Sequence, residues 1–429
     1  MRHHRGGGLL LILALAACTP ARQTPDAVDP PVLAVDDNVA HLSIADATNA
    51  GAGVAASDDR IVVTWAATAG DRTDVYAAAS VDEGRTFAAP VRVNDVDGDA
   101  RMSAEQAPRV AFGRDLIVGW ISRLGGQSSI RIARSADGGG TFAAARTVHA
   151  SSLEGMRGWP SFTIGDDGVV HAAWLDTREA AKHAAHAAAG AGGGAHQGHH
   201  GSTRQDLFHA FAAADGGWIE TSIATDVCFC CKTAVATGPD GAAYVAFRNV
   251  YPTNFRDMAV ARSTDGGRTF SEPVRVSEDH WQIDACPEDG PSLAVTDDGV
   301  LHIAWPTMLQ ADGEQKKAVF YASSADGGRT FSARVRVDQA GSGVHAGHPQ
   351  IAAAGARVFV AWDETTGTGY KVQLREVGPE ATSSRVVTIG GDGSAVYPAI
   401  AATPDTLVAA WTERAGGRST IAVRRVALR

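Results

Sequence analysis

The chain has 429 residues and a formal net charge of −10, from 38 Lys and Arg against 48 Asp and Glu. That acidic balance argues against nucleic acid and against a polybasic membrane contact. With 48 glycines, 7 % aromatic residues and abundant Ala, Val and Thr, the composition suits a large β protein with many tight turns.

Residues 1–18 read as an export signal. Arg2 and Arg5 precede an unbroken apolar run, Leu9 to Ala17, too short to span a bilayer as a stable helix. Leu15-Ala16-Ala17-Cys18 resembles a bacterial lipobox, which implies lipidation of Cys18. Thr19, rather than Asp, follows it, which implies an outer-membrane lipoprotein facing the periplasm or the cell surface. Contact with the membrane is then through the N-terminal lipid alone. Residues 19–39 read as a tether, Pro-rich at its start.

From residue 40 to 429 one unit repeats. Each copy contains a short β run ending in an aromatic: Trp65, Trp120, Trp174, Phe247, Trp305, Trp362 and Trp411. Before most of these runs stands another short strand behind a Pro ("PRVAF", "PSFTI", "PSLAV", "PQIAA", "PAIAA"), and a third and fourth follow. Four short strands per unit of about fifty residues mark a β-propeller blade. The expected fold is all-β, a propeller of seven blades, six being the weaker count. "AHLSIAD", Ala40 to Asp46, precedes the first blade and can close the ring by supplying the last blade's fourth strand. One spacing is long, and a His/Gly/Ala-rich insertion at residues 183–201 explains it.

The turn between third and fourth strands carries the sharpest motif. It reads Ser80-Val81-Asp82-Glu83-Gly84-Arg85-Thr86-Phe87, then "SADGGGTF" around Asp137, "STDGGRTF" around Asp265 and "SADGGRTF" around Asp326. This resembles the Asp box of sialidases and related propellers. An Asp carboxylate can accept backbone N–H bonds across the turn while Gly supplies positive φ. The four aspartates are therefore expected to staple the fold rather than to bind calcium or to catalyse.

A blade runs down, up, down, up, so the Asp boxes lie at the bottom, and the loops that precede first strands or join second to third strands form the top. That rule sends the unusual residues to one mouth: Cys228, Cys230 and Cys231 in "CFCCK", Asp284, Cys286, Glu288 and Asp289 in "DACPEDGP", His345 and His348 in "HAGHP", and Tyr397. Asp176, Arg178, Arg248, Arg256 and Asp257 join them from the second-to-third loops. The arginines can bind a carboxylate, sulfate or phosphate in bidentate fashion, or form loop salt bridges with the neighbouring acids.

Exported cysteines are disulfide-bonded, metal-bound or redox-active. Cys228, Cys230, Cys231 and Cys286 admit all three: two disulfides, one within the trio such as Cys230 with Cys231; a thiolate site for Cu(I) or Zn(II); or a redox pair with Lys232 stabilising thiolate. His183, His186, His196, His199 and His200 form either a weak metal loop or a low-complexity expansion.

The sialidase resemblance covers the mature chain as fold and the Asp boxes as motif. It implies three arginines on a substrate carboxylate, a tyrosine nucleophile activated by a glutamate, and an aspartate acid/base. The Arg-Ile-Pro element of the first blade is absent, since "AGAGVAAS" stands there; Tyr397 and Glu288 match the nucleophile pair in kind. The stretch "CFCCK … YVAFRN … RD … WQIDACPEDGP" also resembles bacterial exported proteins labelled sialidase-like. The expected function is monomeric binding of a glycan or small anionic ligand at the top mouth, without nucleic acid. The alternatives are an exo-acting glycoside hydrolase of sialidase type and a soft-metal binding protein.

Overall fold

The computed structural model describes residues 1–3 and 33–429, apart from 59, 102, 104, 127, 150–154, 180–204, 213–215, 230, 283–288, 312–313, 340, 342–343, 379–383, 392–393 and 429. The signal peptide, Cys18, most of the tether, the His-rich insertion, Cys230, Asp284, Cys286 and Glu288 lie outside the described residues.

Every described element of length is a strand. β1 (Ala34–Leu42) comes first. Then follow β2 (Thr48–Ser57), β3 (Arg60–Ala69), β4 (Arg72–Ser80) and β5 (Val91–Arg92); β6 (Arg109–Phe112), β7 (Leu116–Ser122), β8 (Ser129–Ser135) and β9 (Arg146–Thr147). The third group is β10 (Arg157–Ile164), β11 (Val170–Asp176), β12 (Gln205–Ala212) and β13 (Ile219–Val227), and the fourth is β14 (Ala234–Thr237), β15 (Ala243–Arg248), β16 (Met258–Ser263) and β17 (Val274–Arg275). β18 (Ser292–Val295), β19 (Leu301–Ala311), β20 (Glu314–Ser324) and β21 (Val335–Arg336) make the fifth. β22 (Ala346–Ala354), β23 (Arg357–Thr365), β24 (Tyr370–Val377) and β25 (Val387–Gly390) precede β26 (Ser394–Ala402), β27 (Thr406–Ala415) and β28 (Arg418–Ala427). Among the described residues no helix is long and apolar enough to cross a membrane.

Each of the first five groups is a four-stranded antiparallel sheet in chain order. The remaining strands form an eight-stranded sheet whose halves, β22 to β25 and β26 to β28, meet in one parallel bridge between Tyr370 and Ser394. β1 completes the second half by pairing antiparallel with β28, from Ala34 opposite Ala427 to Leu42 opposite Ile421. The partner strand thus lies over residues 34–42, where the sequence pointed to residues 40–46.

The second strands explain themselves by burial on both faces. β7 and β11 are buried at every residue, so their sequences run continuously apolar instead of alternating. Trp65, Trp174, Trp305 and Trp362 are fully buried, each between one sheet and the next. One such cluster joins Trp65 and Ile61 to Val408, Ile421 and Ala399, which brings the first sheet against the last half-sheet. The first strands touch in succession, β2 with β6, then β10, β14, β18, β22 and β26, and β26 touches β2 again. A cavity of about 420 Å³ lies where all seven meet.

Each Asp-box carboxylate is spent on its own turn. Asp82 Oδ1 accepts the Ser80 hydroxyl at 2.7 Å and Thr86 N–H at 2.9 Å, while Oδ2 accepts the Thr86 hydroxyl at 2.6 Å. These bonds hold the Asp82 carboxyl at about 2, below the usual carboxylate range. Asp137, Asp265 and Asp326 repeat the arrangement. Gly84, at φ 84°, lets its N–H turn in to the Ser80 oxygen at 2.8 Å.

Candidate functional site

Four of the seven first strands begin with a β-bulge at the mouth of the central cavity. Register shifts fall between Ala50 and Gly53, Gly158 and Ser161, Gly347 and Gln350, and Val396 and Ala399. The bulged residues have left-handed backbone: Gly51 at φ 72°, Trp159 at 59°, His348 at 51° and Tyr397 at 56°. Only glycine adopts this region freely, so three large side chains held there are strained, and bulges of this kind re-aim side chains next to functional sites. Pro160, Pro349 and Pro398 follow the three directly, which is the sequence sign of the bulge.

His348 and Tyr397 face each other, ring centroids 4.4 Å apart. Asp363, at the top of β23, ties both: an oxygen accepts Tyr397 N–H at 2.8 Å, and both oxygens lie 2.9 Å from His348 Nδ1. The Tyr397 hydroxyl donates to Glu105 Oε1 at 3.1 Å. Burial first, then the Glu105 charge and hydrogen bond, pushes the Tyr397 phenol well above its ordinary value, so the phenol keeps its proton.

Asp289 is fully buried in this cluster. Its Oδ2 accepts His348 N–H at 2.8 Å and faces Lys317 Nζ at 3.2 Å, and its Oδ1 lies 3.6 Å from Lys232 Nζ. Burial works to raise the Asp289 carboxyl, but His348, Lys317 and Lys232 outweigh it and hold it far below the usual range. The two lysines differ. Burial lowers Lys232, with Arg109 adding to it, whereas Asp289 and Asp363 overcome burial and raise Lys317. His345 accepts the Lys317 backbone N–H on Nδ1 at 3.2 Å.

Arg109, at the start of β6, lines the central cavity. Its Nε is buried with no hydrogen-bond partner, and among the described residues its guanidinium makes no ion pair. Burial lowers its pKa from 12.5 to about 10. Lys232 is close enough to feel the Arg109 charge.

The arginines singled out from the sequence are engaged elsewhere. Arg178 grips Asp176 through Nε at 2.8 Å and Glu220 through Nη1 at 2.7 Å, and Arg157 Nε lies 3.0 Å from the same Asp176. Arg248 is buried over Trp281 at 4.1 Å and donates to the carbonyls of Arg256 at 2.8 Å and Pro306 at 3.0 Å. Asp257 accepts from Arg275 and from the N–H groups of His280 and Trp281. Arg256 donates to Asn254 at 3.3 Å and to Cys228 Sγ at 3.7 Å. These groups brace the loops around the mouth. Arg109, Glu105, Lys317 and Asp363 were missed; Arg109 follows Pro108 as His348 and Tyr397 precede theirs, so the Pro-marked strand start was the available signal.

Among the described residues no group of three or more His, Cys, Asp and Glu is placed to hold a metal ion. Cys228 and Cys231 are buried, with sulfurs 3.5 Å apart.

No family model matches the sequence, and no curated protein is similar to it at a significant level. Solved structures do resemble it. An ulvan lyase of polysaccharide lyase family PL25 aligns over 88% of this chain and 94% of its own, at 11% identity and a TM-score of 0.54. Trypanosoma rangeli sialidase aligns over 88% of this chain and 55% of its own (12% identity, TM-score 0.43), and a Penicillium chrysogenum α-L-arabinanase over 93% and 97% (11%, 0.44). At these identities the likeness is one of fold alone: an all-β arrangement of successive four-stranded antiparallel sheets.

Proposed function

We propose that the chain is a seven-bladed propeller, closed by β1, that binds the acidic group of an anionic glycan at the mouth of its central cavity. The carrying observation is the Arg109 guanidinium in the cavity wall, whose buried Nε has no hydrogen-bond partner and whose charge reaches Lys232. A bidentate guanidinium contact suits a carboxylate or sulfate, and the mouth hydroxyls and His348 suit sugar hydroxyls. One ulvan-lyase structure of the same fold is bound to -[GlcA(1-4)Rha3S]-, a glycan carrying both acidic groups, which supports this ligand class. Isothermal titration with glucuronate-containing and sialylated oligosaccharides tests it; no heat of binding with either class defeats it.

Tyr397 and Glu105 favour a second reading, an exo-acting glycoside hydrolase of sialidase type. In that chemistry Glu105 takes the phenolic proton as the oxygen attacks the anomeric carbon, the glycosidic bond breaks, and the aglycone leaves with a proton from a general acid. Glu105 is the base in this reading, and Glu288, which the sequence suggested for that part, lies outside the described residues. Turnover of a fluorogenic sialoside should then collapse in Tyr397→Phe; no turnover across a panel of aryl glycosides rules it out.

Outer-membrane anchoring through a lipid on Cys18 belongs to the same proposal. Labelled palmitate should enter the wild-type protein and not Cys18→Ser. The soft-metal reading of the cysteines predicts stoichiometric copper or zinc in protein purified without chelator.

A further inference from the structure

We propose that Cys228 and Cys231 form a disulfide that fixes the Lys232 loop at the cavity mouth. The inference rests on the anion-binding reading of that mouth and adds a covalent site to it. The two sulfurs are 3.5 Å apart and both residues are buried, between β13 and β14. A disulfide bond of about 2.05 Å requires the two sulfurs to approach by roughly 1.5 Å.

The surroundings tie the pair to the site. Cys228 N–H donates to the Arg248 carbonyl at 3.1 Å, and Cys231 is followed at once by Lys232, whose ammonium meets Asp289. The main chain of Lys232 presses on Gly290 so closely that a Cβ there would stand 2.3 Å from the Lys232 carbonyl oxygen. A bridge one residue before Lys232 therefore limits how far this lysine can leave Asp289.

The oxidant is a low-molecular-weight disulfide such as glutathione disulfide. Cys228, deprotonated, is the attacking thiolate. Its sulfur bonds to one glutathione sulfur and expels the other as a thiolate. Cys231, deprotonated, then attacks the mixed disulfide, forming the Cys228–Cys231 bond and expelling the second glutathione. Two electrons pass to the glutathione pair, and the two cysteine protons end on its thiols. Because both thiols are buried, the exchange occurs before the loop docks.

The test is denaturing alkylation without reductant, followed by mass spectrometry of the tryptic peptide Gln205 to Lys232. In a Cys230→Ser/Cys286→Ser protein folded with glutathione disulfide, the peptide should be two hydrogens light and unlabelled until reduced. Two labelled thiols would overturn the proposal. Wild-type protein serves if that variant does not fold: Cys228 found bonded to Cys230 or Cys286, or four labelled thiols with bound metal, would overturn it equally. The positioning role is read separately, with a glucuronate-containing oligosaccharide as probe. Reductant should weaken wild-type binding several-fold, and Cys228→Ser should bind at the weakened level with or without reductant; binding indifferent to both would refute that role. If wild type binds no anion in either redox state, the mouth reading fails, while the bridge stands or falls on mass alone.

Discussion

Replacing Arg109 by Met should separate function from stability in opposite directions. Burial pulls the Arg109 pKa from 12.5 to about 10, and the guanidinium has no partner to offset that cost. A shift of this size corresponds to about 3 kcal/mol of strain on the charged form, and about 1–3 kcal/mol once water in the cavity is allowed for. Met keeps much of the side-chain length and removes the charge, so the variant should unfold later in urea than wild type. Binding should go the other way. A charge-assisted hydrogen bond contributes about 1.5–3 kcal/mol, so the Kd for a glucuronate-containing oligosaccharide should rise roughly ten- to a hundred-fold. Urea denaturation and isothermal titration on the same preparation measure both. A variant less stable than wild type with unchanged affinity would show that Arg109 holds the barrel of first strands together and does not face the ligand.

Acid should loosen the fold through two buried histidines. Burial holds His209 at about 3, with His171 adding to it, and His302 at about 4, against 6.5 when unfolded. Both stay neutral in the native state, so their contribution is complete above pH 6.5 and is lost as pH falls toward the folded values. Between pH 7 and 5 each should cost about 1–2 kcal/mol, seen as a falling urea midpoint that flattens in His302→Gln. Trp362→Ala removes a fully buried indole between two sheets and should cost about 3–5 kcal/mol by the same titration. A loss under 1 kcal/mol would mean that the stacked sheets do not share one core. Deleting residues 33–42 strips β1 from β28 and leaves a sheet edge open. Light scattering should show self-association; a monodisperse monomer would refute closure by this strand.

The stacked four-strand units were legible in the sequence because each copy buries the same surfaces. Trp65, Trp120, Trp174 and their equivalents recur because every sheet must fill the same gap to its neighbour, and the Asp boxes recur because each turn satisfies its own bonds within eight residues. Such local and repeated constraints leave a periodic record. The mouth leaves none, since each first strand contributes a different side chain and proximity arises only when the strands are brought together. Tyr397 and His348 could be suspected from their loops, but Glu105 meets Tyr397 across 292 residues, a pairing that no spacing announces. Arg178 and Arg248 could be read from the sequence either as ligand arginines or as members of loop salt bridges, because residue type alone does not reveal a partner. Asp176 and Glu220 engage the first, and backbone carbonyls the second. Arg109 looked like an ordinary strand residue until the fold placed it in a cavity wall, its buried Nε without a hydrogen-bond partner. The sequence by itself determined the repeated units, through packing that each repeat must solve alone; only tertiary structure decided which of the described charges meet a partner inside the protein and that Arg109 lines the central cavity.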